Sequence, residues 1–206
     1  LHSGDMFTNA FQEHVSSDGR TLTNRVQAQG YSYARLGENV FAYAQNPFHG
    51  HAGFEVDWGQ TDTGMQDPPG HRDSIHNPEF REVGIGIVNG SNDPVGPQLV
   101  TQDFGLSQNA TPFVTGVVYF DFDGDDFYDL GEGIGGVRID AGGSDYHAVT
   151  ASSGGYALPV PGDGSYTVTV SVAGLAVPDQ TVTVVGLANL KVDLALEYLM
   201  GKDRTV

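Results

Sequence analysis

Five acidic residues recur at positions 1, 3, 5, 9 and 12 of one twelve-residue stretch of the chain. They are Asp121, Asp123, Asp125, Asp129 and Glu132. Oxygen ligands at these offsets can wrap around one Ca²⁺ ion, and the backbone carbonyl of Phe127 at the seventh position would add a donor. Without a cation, so many like charges repel one another at short range. The spacing therefore predicts a calcium-binding loop, and the alternative interpretation is a solvated acidic turn.

The segments on either side of this loop have the pattern of strands rather than helices. Apolar residues dominate 115–120 before the loop and 137–140 after it, as in short strands bounded by turns. Asp126 stands where helix–loop–helix calcium sites usually have glycine. We therefore expect the loop to join two strands of a β domain.

Charge and composition limit the partners of the chain. Among 206 residues, 26 are Asp or Glu and only 9 are Lys or Arg, which gives a net charge of −17. Nucleic acids and anionic membranes need a basic surface, so neither is an expected partner. Cysteine is absent, which excludes disulfides and thiolate metal sites. No apolar run reaches the roughly 18 residues of a transmembrane helix.

The first half of the chain predicts a mixture of helices and strands. Apolar residues recur at helical spacing in three stretches, and the third contains the pair Phe54 and Trp58. Two apolar runs, 83–88 and 98–104, are typical of strands. These elements favour an α+β fold for residues 1–108.

The second half has a different period. Short strands alternate with Gly, Asp and Pro turns, which favours an all-β sandwich. The candidate strands are 114–120, 137–141, 147–150, 155–160, 165–172, 180–184 and 189–195. We therefore predict a linker over 109–113, a β-sandwich domain over 114–197 and a tail over 198–206.

Three segments of the first half carry candidate chemistry. They contain His14, Gly37-Glu38-Asn39 and Gly70-His71-Arg72. Two imidazoles and a carboxylate can hold Zn²⁺ or another divalent ion with an open position. The same groups suit general acid and base catalysis, because histidine titrates near neutral pH. The alternative is a hydrogen-bonded cluster that braces a cleft, and spacing alone does not decide whether the three residues meet.

The order of these motifs resembles the cysteine-free bacterial branch of the CAP superfamily, the SCP-like group of cysteine-rich secretory, antigen 5 and pathogenesis-related 1 proteins. The residues that carry the resemblance are His2-Ser3-Gly4-Asp5-Met6, His14, Ser17-Asp18-Gly19, Arg25, Gly30-Tyr31, Gly37-Glu38-Asn39, Trp58, Gly70-His71-Arg72, Asn77-Pro78, the stretch from Glu82 to Gly86, and Gln102-Asp103-Phe104-Gly105. They span nearly all of residues 1–105. The resemblance implies an α–β–α sandwich with a central cleft lined by two histidines and two acids.

Carried over by motif, the cleft histidines are His14 and His71, and one acid is Glu38. The position that the family uses for the second acid holds Thr61 here, which departs from the family pattern. The acids nearby that could replace it are Asp57, Asp62 and Glu55. The family's opening helix lies upstream of Leu1, so we expect the chain to be a processed or trimmed fragment.

The remaining histidines are expected in supporting positions. His49 and His51 are predicted in a loop or at the rim of the cleft, where they could add ligands. His76 is expected at a helix end, where its charge would favour the helix dipole, and His147 on a surface strand. Three aromatic residues are expected in the core: Phe48, Phe54 and Trp58.

The second half resembles the B-type repeat domains of bacterial serine–aspartate surface proteins and the related prealbumin-like domains. The matching residues are 114–125, Tyr128-Asp129, Gly131-Glu132-Gly133, Gly135-Gly136-Val137, 150–156 and 164–170. The resemblance covers about 113–196. It implies an immunoglobulin- or prealbumin-like sandwich, stiffened by Ca²⁺, that serves as a spacer or a binding module. Lysine occurs only at 191 and 202, so we expect no Lys–Asn cross-link.

The sequence therefore predicts a secreted or cell-surface bacterial protein in which a CAP domain precedes a calcium-binding β-sandwich. The leading function is non-catalytic binding of a small apolar ligand, a wall component or a protein partner. One rival is a metal-dependent hydrolase or protease that uses His14, Glu38 and His71. The other is an adhesin that binds through the sandwich. Gly-x-Ser-x-Gly, His-Glu-x-x-His and phosphate-loop motifs are missing, and whether the chain is an enzyme stays open.

Overall fold

The computed structural model of the protein describes residues 2–172 and 177–196. The chain divides into two compact units, Leu1–Asn109 and Ala110–Val206. Helices and several antiparallel sheets occur together, so the predicted α+β class is confirmed at this level. No helix in the described part of the chain has the length and apolar character needed to cross a membrane. The predicted tail, 198–206, lies outside the described residues.

The first unit contains helices and one antiparallel sheet. Its helices are α1 (His2–Asn9), α2 (Leu22–Ala28), α3 (Pro47–Val56) and α4 (Gly70–Ile75). Its strands are β1 (Tyr33–Ala44), β2 (Glu82–Asn89) and β3 (Gln98–Ser107). The strands lie in the order β1–β3–β2. The central strand β3 is buried over most of its length, and it therefore forms the middle of the core.

Helices cover both faces of this sheet. Leu99 and Val100 are successive residues of β3, so their side chains point to opposite faces. Leu99 packs with Met6 of α1, whereas Val100 packs with Phe54 of α3. All four side chains are almost completely buried. The sheet is thus held between α1 on one side and α3 on the other.

Helix α3 ends earlier than its hydrophobic pattern predicts. It begins after Asn46, whose side chain accepts a hydrogen bond from the backbone of the first turn. It ends at Asp57, which adopts a left-handed conformation with φ of 57° and turns the chain. The prediction that Phe54 and Trp58 share a helix is therefore wrong, because Trp58 lies beyond this turn.

The described part of the second unit is built of short strands. They are β4 (Phe113–Tyr119), β5 (Arg138–Ala141), β6 (His147–Val149), β7 (Gly155–Pro159), β8 (Gly164–Ser171), β9 (Gln180–Val184), β10 (Leu190–Lys191) and β11 (Leu194–Ala195). One sheet has β4 at its centre, paired with β7, β10 and β11, and the other has the order β6–β5–β8–β9. Side chains from both sheets form one hydrophobic cluster, which includes Val118, Ile139 and Leu158.

The last described strands depend on a glycine in β4. The segment that contains β10 and β11 runs parallel to β4, and the Val192 amide donates to the Thr115 carbonyl at 2.7 Å. A Cβ atom at Gly116 would lie 1.9 Å from the Val192 oxygen. Glycine is therefore required here because the two backbones approach closely. Lys191 forms an ion pair with Asp193.

Candidate functional site

The structure brings His14 and Glu38 together. His14 lies between α1 and α2, and its Nδ1 is 2.9 Å from Oε1 of Glu38 on β1. The other carboxylate oxygen of Glu38 accepts a hydrogen bond from Arg25 of α2. Arg25 also donates to the His14 carbonyl at 2.9 Å. The Glu38 side chain is only 2% exposed, so its charge depends on these two partners.

Asp103 completes this cluster, although no sequence pattern predicts it as a site residue. It lies directly opposite Glu38 in the register of β1 and β3. Burial, with the hydrogen bond and the charge of Glu38, raises the pKa of Asp103 to about 7. Although burial opposes the change, the His14 hydrogen bond and the Arg25 charge lower the pKa of Glu38. When the pH falls through about 7, the proton is therefore taken up by Asp103 rather than by Glu38.

His71 is paired with a different carboxylate, Asp57. Its Nδ1 lies 2.6 Å from Asp57 Oδ1, and its backbone amide donates to Asp57 Oδ2 at 2.8 Å. Asp57 is completely buried. Three acids lie near Thr61, the position that the resemblance gives to the second acid. Of these three, Asp57 is thus the one that contacts His71. Glu55 instead contacts His76 at 2.7 Å, and Asp62 is exposed.

The two histidine–carboxylate pairs lie on opposite sides of β1. Glu38 and Asn39 are successive residues of this strand, so they point to opposite faces. Glu38 meets His14, whereas Asn39 donates to the His71 carbonyl at 3.0 Å. Among the described residues, neither histidine belongs to a group of three His, Asp or Glu side chains close enough to share one ion. The structure therefore pairs His14 with Glu38 and His71 with Asp57.

A small cavity adjoins His71 at the edge of β1. Its volume is about 130 Å³, and its lining includes Trp58, Gln12 and Gln66. The ring of His49 lies 5.2 Å from the ring of Trp58. His49 and His51, predicted in a loop or at the rim of the cleft, lie in α3, whose N-terminal cap and proline start a helix there. The loop alternative is therefore wrong, and the rim position stays a prediction.

The three aromatic residues predicted for the core have different environments. Phe54 is buried, with 2% of its surface exposed. Phe48 and Trp58 are 73% and 46% exposed, so the prediction is wrong for them. Phe48 lies in the first turn of α3, and Trp58 follows the turn at Asp57.

The acidic loop lies between β4 and β5, and it gathers its carboxylates into two overlapping groups. One contains Asp121, Asp123 and Glu132, and the other contains Asp123, Asp125 and Asp129. Within each group the oxygens lie within 4.8 Å of one another. Two oxygens bound to one Ca²⁺ at about 2.3–2.6 Å are separated by at most roughly twice that distance. The donor set and its spacing therefore fit calcium.

Backbone amides fix the first and last acids of the loop. Asp121 accepts hydrogen bonds from the amides of Gly124 at 2.7 Å and Asp126 at 3.0 Å. Glu132 accepts from the amides of Phe122 and Asp129, both at 2.8 Å. Asp126 has a φ of 61°, the left-handed conformation for which other calcium loops use glycine. The loop is thus shaped by its own carboxylates.

Like charge is concentrated within this loop. Desolvation and the charge of Asp125 raise the pKa of Asp123. By contrast, although desolvation opposes the change, backbone hydrogen bonds lower the pKa of Asp121. Glu132 is buried, whereas Asp123, Asp125 and Asp129 are exposed. A cation bound among these oxygens would offset the repulsion that raises the Asp123 pKa.

No protein-family model matches the chain, and no curated protein matches it. Among solved structures, the chain is similar to an extracellular protein containing an SCP domain from Bacillus anthracis strain Ames, with 26% identity and a TM-score of 0.38. The match covers 50% of this chain but only 28% of that protein.

Replacement of Asp57 by alanine should destabilise the first unit. The change leaves two partly buried groups of His71, its backbone amide and its Nδ1, without their partner, and the loss of a buried partner costs about 1–3 kcal/mol. We expect a lower melting temperature in a melt followed by fluorescence of Trp58, the only tryptophan of the chain. The matched control is Asp62→Ala, at an exposed acid nearby, which should change stability by no more than about 0.5 kcal/mol. Equal melting of the two variants would contradict the assigned role of Asp57.

The stability of the first unit should fall as the pH rises from about 5 to 8. Folded Asp103 keeps its proton up to a pKa of about 7, whereas an unfolded aspartate loses it near 3.9. The folded state therefore binds more protons across this range, and unfolding becomes easier as the pH increases. His14 acts in the same direction, because its hydrogen bond to Glu38 raises its pKa.

Asp103→Asn should reduce this slope, because the variant has no carboxyl group to deprotonate. The measurement is the Trp58 fluorescence melt at several pH values for the wild type and the variant. Asp62→Asn, an exposed acid of the same unit, should keep the wild-type slope. An Asp103→Asn protein with an unchanged slope would show that the buried carboxyl does not titrate as inferred.

Proposed function

We propose that the chain is an extracellular binding protein in which a CAP-type domain precedes a calcium-stabilised β-sandwich. The ordered CAP motifs of residues 2–105 support the first assignment, together with helices on both faces of an antiparallel sheet. The two-sheet cluster of the second unit supports a sandwich over 114–197. We place the linker between the two proposed domains at residues 109–113.

The observation that carries the proposal is the arrangement of carboxylates in the 121–132 loop. Five acids at calcium offsets lie in two groups that share Asp123. The loop connects β4 to β5, so an ion there would tie the two sheets of the unit through their connecting segment. Modules that work outside cells bind calcium at about 10⁻⁴–10⁻³ M, which suits an exposed site of this kind. The backbone carbonyl of Phe127 is proposed as a further ligand.

The different carboxylate partners of His14 and His71 support binding rather than hydrolysis in the first unit. A hydrolase built from His14, Glu38 and His71 needs these groups at one reacting atom or one metal ion. His71 is instead held by the buried Asp57, on the other side of β1 from Glu38. We therefore propose that these pairs brace the sheet and shape binding surfaces. A small apolar ligand, a wall component and a protein remain the ligand classes of the proposal.

Removal of calcium should lower the melting temperature of the second unit. An ion present at a hundredfold excess over its Kd stabilises the folded state by about 2.7 kcal/mol. The measurement is calorimetry of the intact chain with calcium and with excess chelator, alongside a calcium titration. We expect one transition to move with calcium while the Trp58 fluorescence melt of the first unit does not.

Asp123→Asn provides the specific variant for this test. It removes a ligand common to both carboxylate groups, so calcium stabilisation should decrease. Without calcium the same change removes a repelling charge and should not destabilise. The matched control is Asp145→Asn, at an exposed acid of the same unit outside the loop. The calcium assignment would be contradicted if chelation left the melting temperature of the second unit unchanged, or if both variants responded equally to calcium.

Zinc binding distinguishes the proposed role of the first unit from the hydrolase alternative. Because each histidine is already bonded to its own carboxylate, we expect His71→Ala to leave any zinc affinity of the intact chain unchanged. The measurement is a zinc titration of calcium-loaded protein, with Asp62→Ala as a surface control. Retention of stoichiometric zinc that His71→Ala abolishes would support a hydrolytic centre instead.

A further inference from the structure

An aromatic patch lies beside the cavity at the edge of β1. The Trp58 ring lies 5.2 Å from the ring of His49, which is itself stacked on Phe41 at 5.7 Å. Both Trp58 and Phe41 line the cavity of about 130 Å³. Trp58 nevertheless keeps 46% of its surface exposed. A large aromatic surface is therefore left uncovered beside a pocket.

The backbone around Trp58 fixes the position of its ring. Trp58 forms a β-bridge with Met65, and the next amide, that of Gln66, donates to the Asp57 carbonyl at 2.7 Å. On the helix side, a Cβ atom added at Gly53 would lie 3.4 Å from Trp58 Cζ3, so the ring lies close against α3. A ring that is already held in place loses little conformational freedom on binding, and this favours its use as a binding surface.

Three polar side chains line the same cavity, and each has a polar atom left for a ligand. Gln12 accepts from a backbone amide through Oε1, Gln66 donates to a backbone carbonyl through Nε2, and His71 contacts Asp57 through Nδ1. The atoms that remain are Gln12 Nε2, Gln66 Oε1 and His71 Nε2, which have no hydrogen bond in the described structure. Both glutamines are exposed and the His71 side chain is 26% exposed, so a ligand can reach them.

These remaining atoms are a mixture of donors and acceptors. Gln12 Nε2 donates and Gln66 Oε1 accepts. Because the Asp57 carboxylate accepts from Nδ1–H, Nε2 of the neutral His71 ring is an acceptor as well. Hydroxyl groups match such a mixture, since each donates one hydrogen bond and accepts others. No Asp, Glu, Lys or Arg lines the cavity in the described part of the chain, which favours an uncharged ligand.

The aromatic patch restricts the shape of this hydroxylated ligand. The face of an aromatic ring carries partial negative charge and attracts C–H groups. In a pyranose ring with equatorial hydroxyls, the C–H bonds point to both faces and the hydroxyls lie around the edge. Such a ring can therefore lie on Trp58 while its hydroxyls reach the polar atoms of the pocket. An open-chain polyol has no such face, and a hydrocarbon ring has no such edge.

We propose that the cavity beside His71 binds one pyranose ring of a neutral glycan, stacked on Trp58 and hydrogen-bonded to Gln12, Gln66 and His71. Glucose and N-acetylglucosamine in β-1,4 linkage have the equatorial substituents that this stacking requires. The assignment rests on the proposed binding function of the first unit, and it narrows the ligand classes given there to a neutral saccharide. It does not depend on calcium in the second unit.

The test uses the intact chain and four probes: cellotriose, triacetylchitotriose, sorbitol and cyclohexanol. Sorbitol has hydroxyls without a ring, and cyclohexanol has a ring with one hydroxyl. Trp58 is the only tryptophan of the chain, so its emission reports on the site directly. We expect a trisaccharide to shift this emission to shorter wavelength and to bind at least about tenfold more tightly than sorbitol or cyclohexanol. Binding of either trisaccharide supports the ligand class, and the ratio of their affinities identifies the preferred sugar.

Two variants, measured by calorimetric titration, test the site itself. Trp58→Ala removes the stacking surface and should weaken trisaccharide binding at least about tenfold. Its matched control is Phe48→Ala, at a residue of α3 that is 73% exposed and does not line the cavity, which should bind like the wild type. Gln66→Leu, at an exposed position, removes one hydroxyl partner. It should weaken trisaccharide binding about three- to tenfold without weakening the binding of cyclohexanol.

Three results would overturn the proposal. The first is an absence of both an emission change and binding heat with either trisaccharide up to its solubility limit. The second is cyclohexanol binding as tight as that of the trisaccharides, which would indicate an apolar ligand. The third is wild-type trisaccharide affinity in both Trp58→Ala and Gln66→Leu. The calcium experiment is read from the melting of the second unit, so a failure of calcium binding and a failure of this pocket are distinguishable.

Discussion

The first unit depends on the interactions of the buried Glu38 carboxylate with Arg25 and His14. Removing a charge from water is expensive unless close partners replace the solvent. Arg25 supplies one partner from α2, and His14 supplies another from the segment that precedes it. Arg25 also holds the carbonyls of His14 and Arg20, so one ion pair fixes the path of the chain from α1 to α2. The sheet register places Asp103 opposite Glu38, and burial beside that carboxylate raises the Asp103 pKa.

In the second unit, the repulsion between neighbouring carboxylates is balanced in a different way. In the 121–132 loop no arginine or lysine side chain is bonded to the acids in the described structure; backbone amides hold Asp121 and Glu132 instead. That arrangement fixes the directions of the oxygens but does not neutralise them. The first unit thus balances its buried acid internally, whereas the loop leaves its charge to an external cation. This contrast underlies the proposal that only the second unit depends on calcium for stability.

Sequence patterns predict the strands that alternate regularly, and they miss features that depend on tertiary pairing. The alternation in 165–172 and 180–184 predicts β8 and β9, which the structure contains. Strand β1 is not predicted, because the charged residues Arg35 and Glu38 interrupt its apolar pattern. In space these residues have partners: Arg35 pairs with Glu79, and Glu38 with Arg25.

The candidate site shows the same division between local and tertiary information. Motif order is enough to select His14, Glu38 and His71. The partnership of Asp57 with His71 depends on the left-handed turn that ends α3, and no spacing rule reveals it. The role of Asp103 depends on the register between β1 and β3. Sequence reasoning therefore identifies the candidate side chains more readily than the groups that set their protonation and orientation.

The alternation of Glu38 and Asn39 makes β1 intolerant of changes in length. Insertion of one residue before Glu38 would exchange the faces on which the two side chains lie. Arg25 would then be buried without its carboxylate, and the His71 carbonyl would lose the amide that now bonds to it. The exposed stretch 60–64, by contrast, contacts neither pair. Related chains should accordingly vary in length there, while the number of residues between Arg25 and Glu38 changes only if the whole α2–β1 connection is rebuilt.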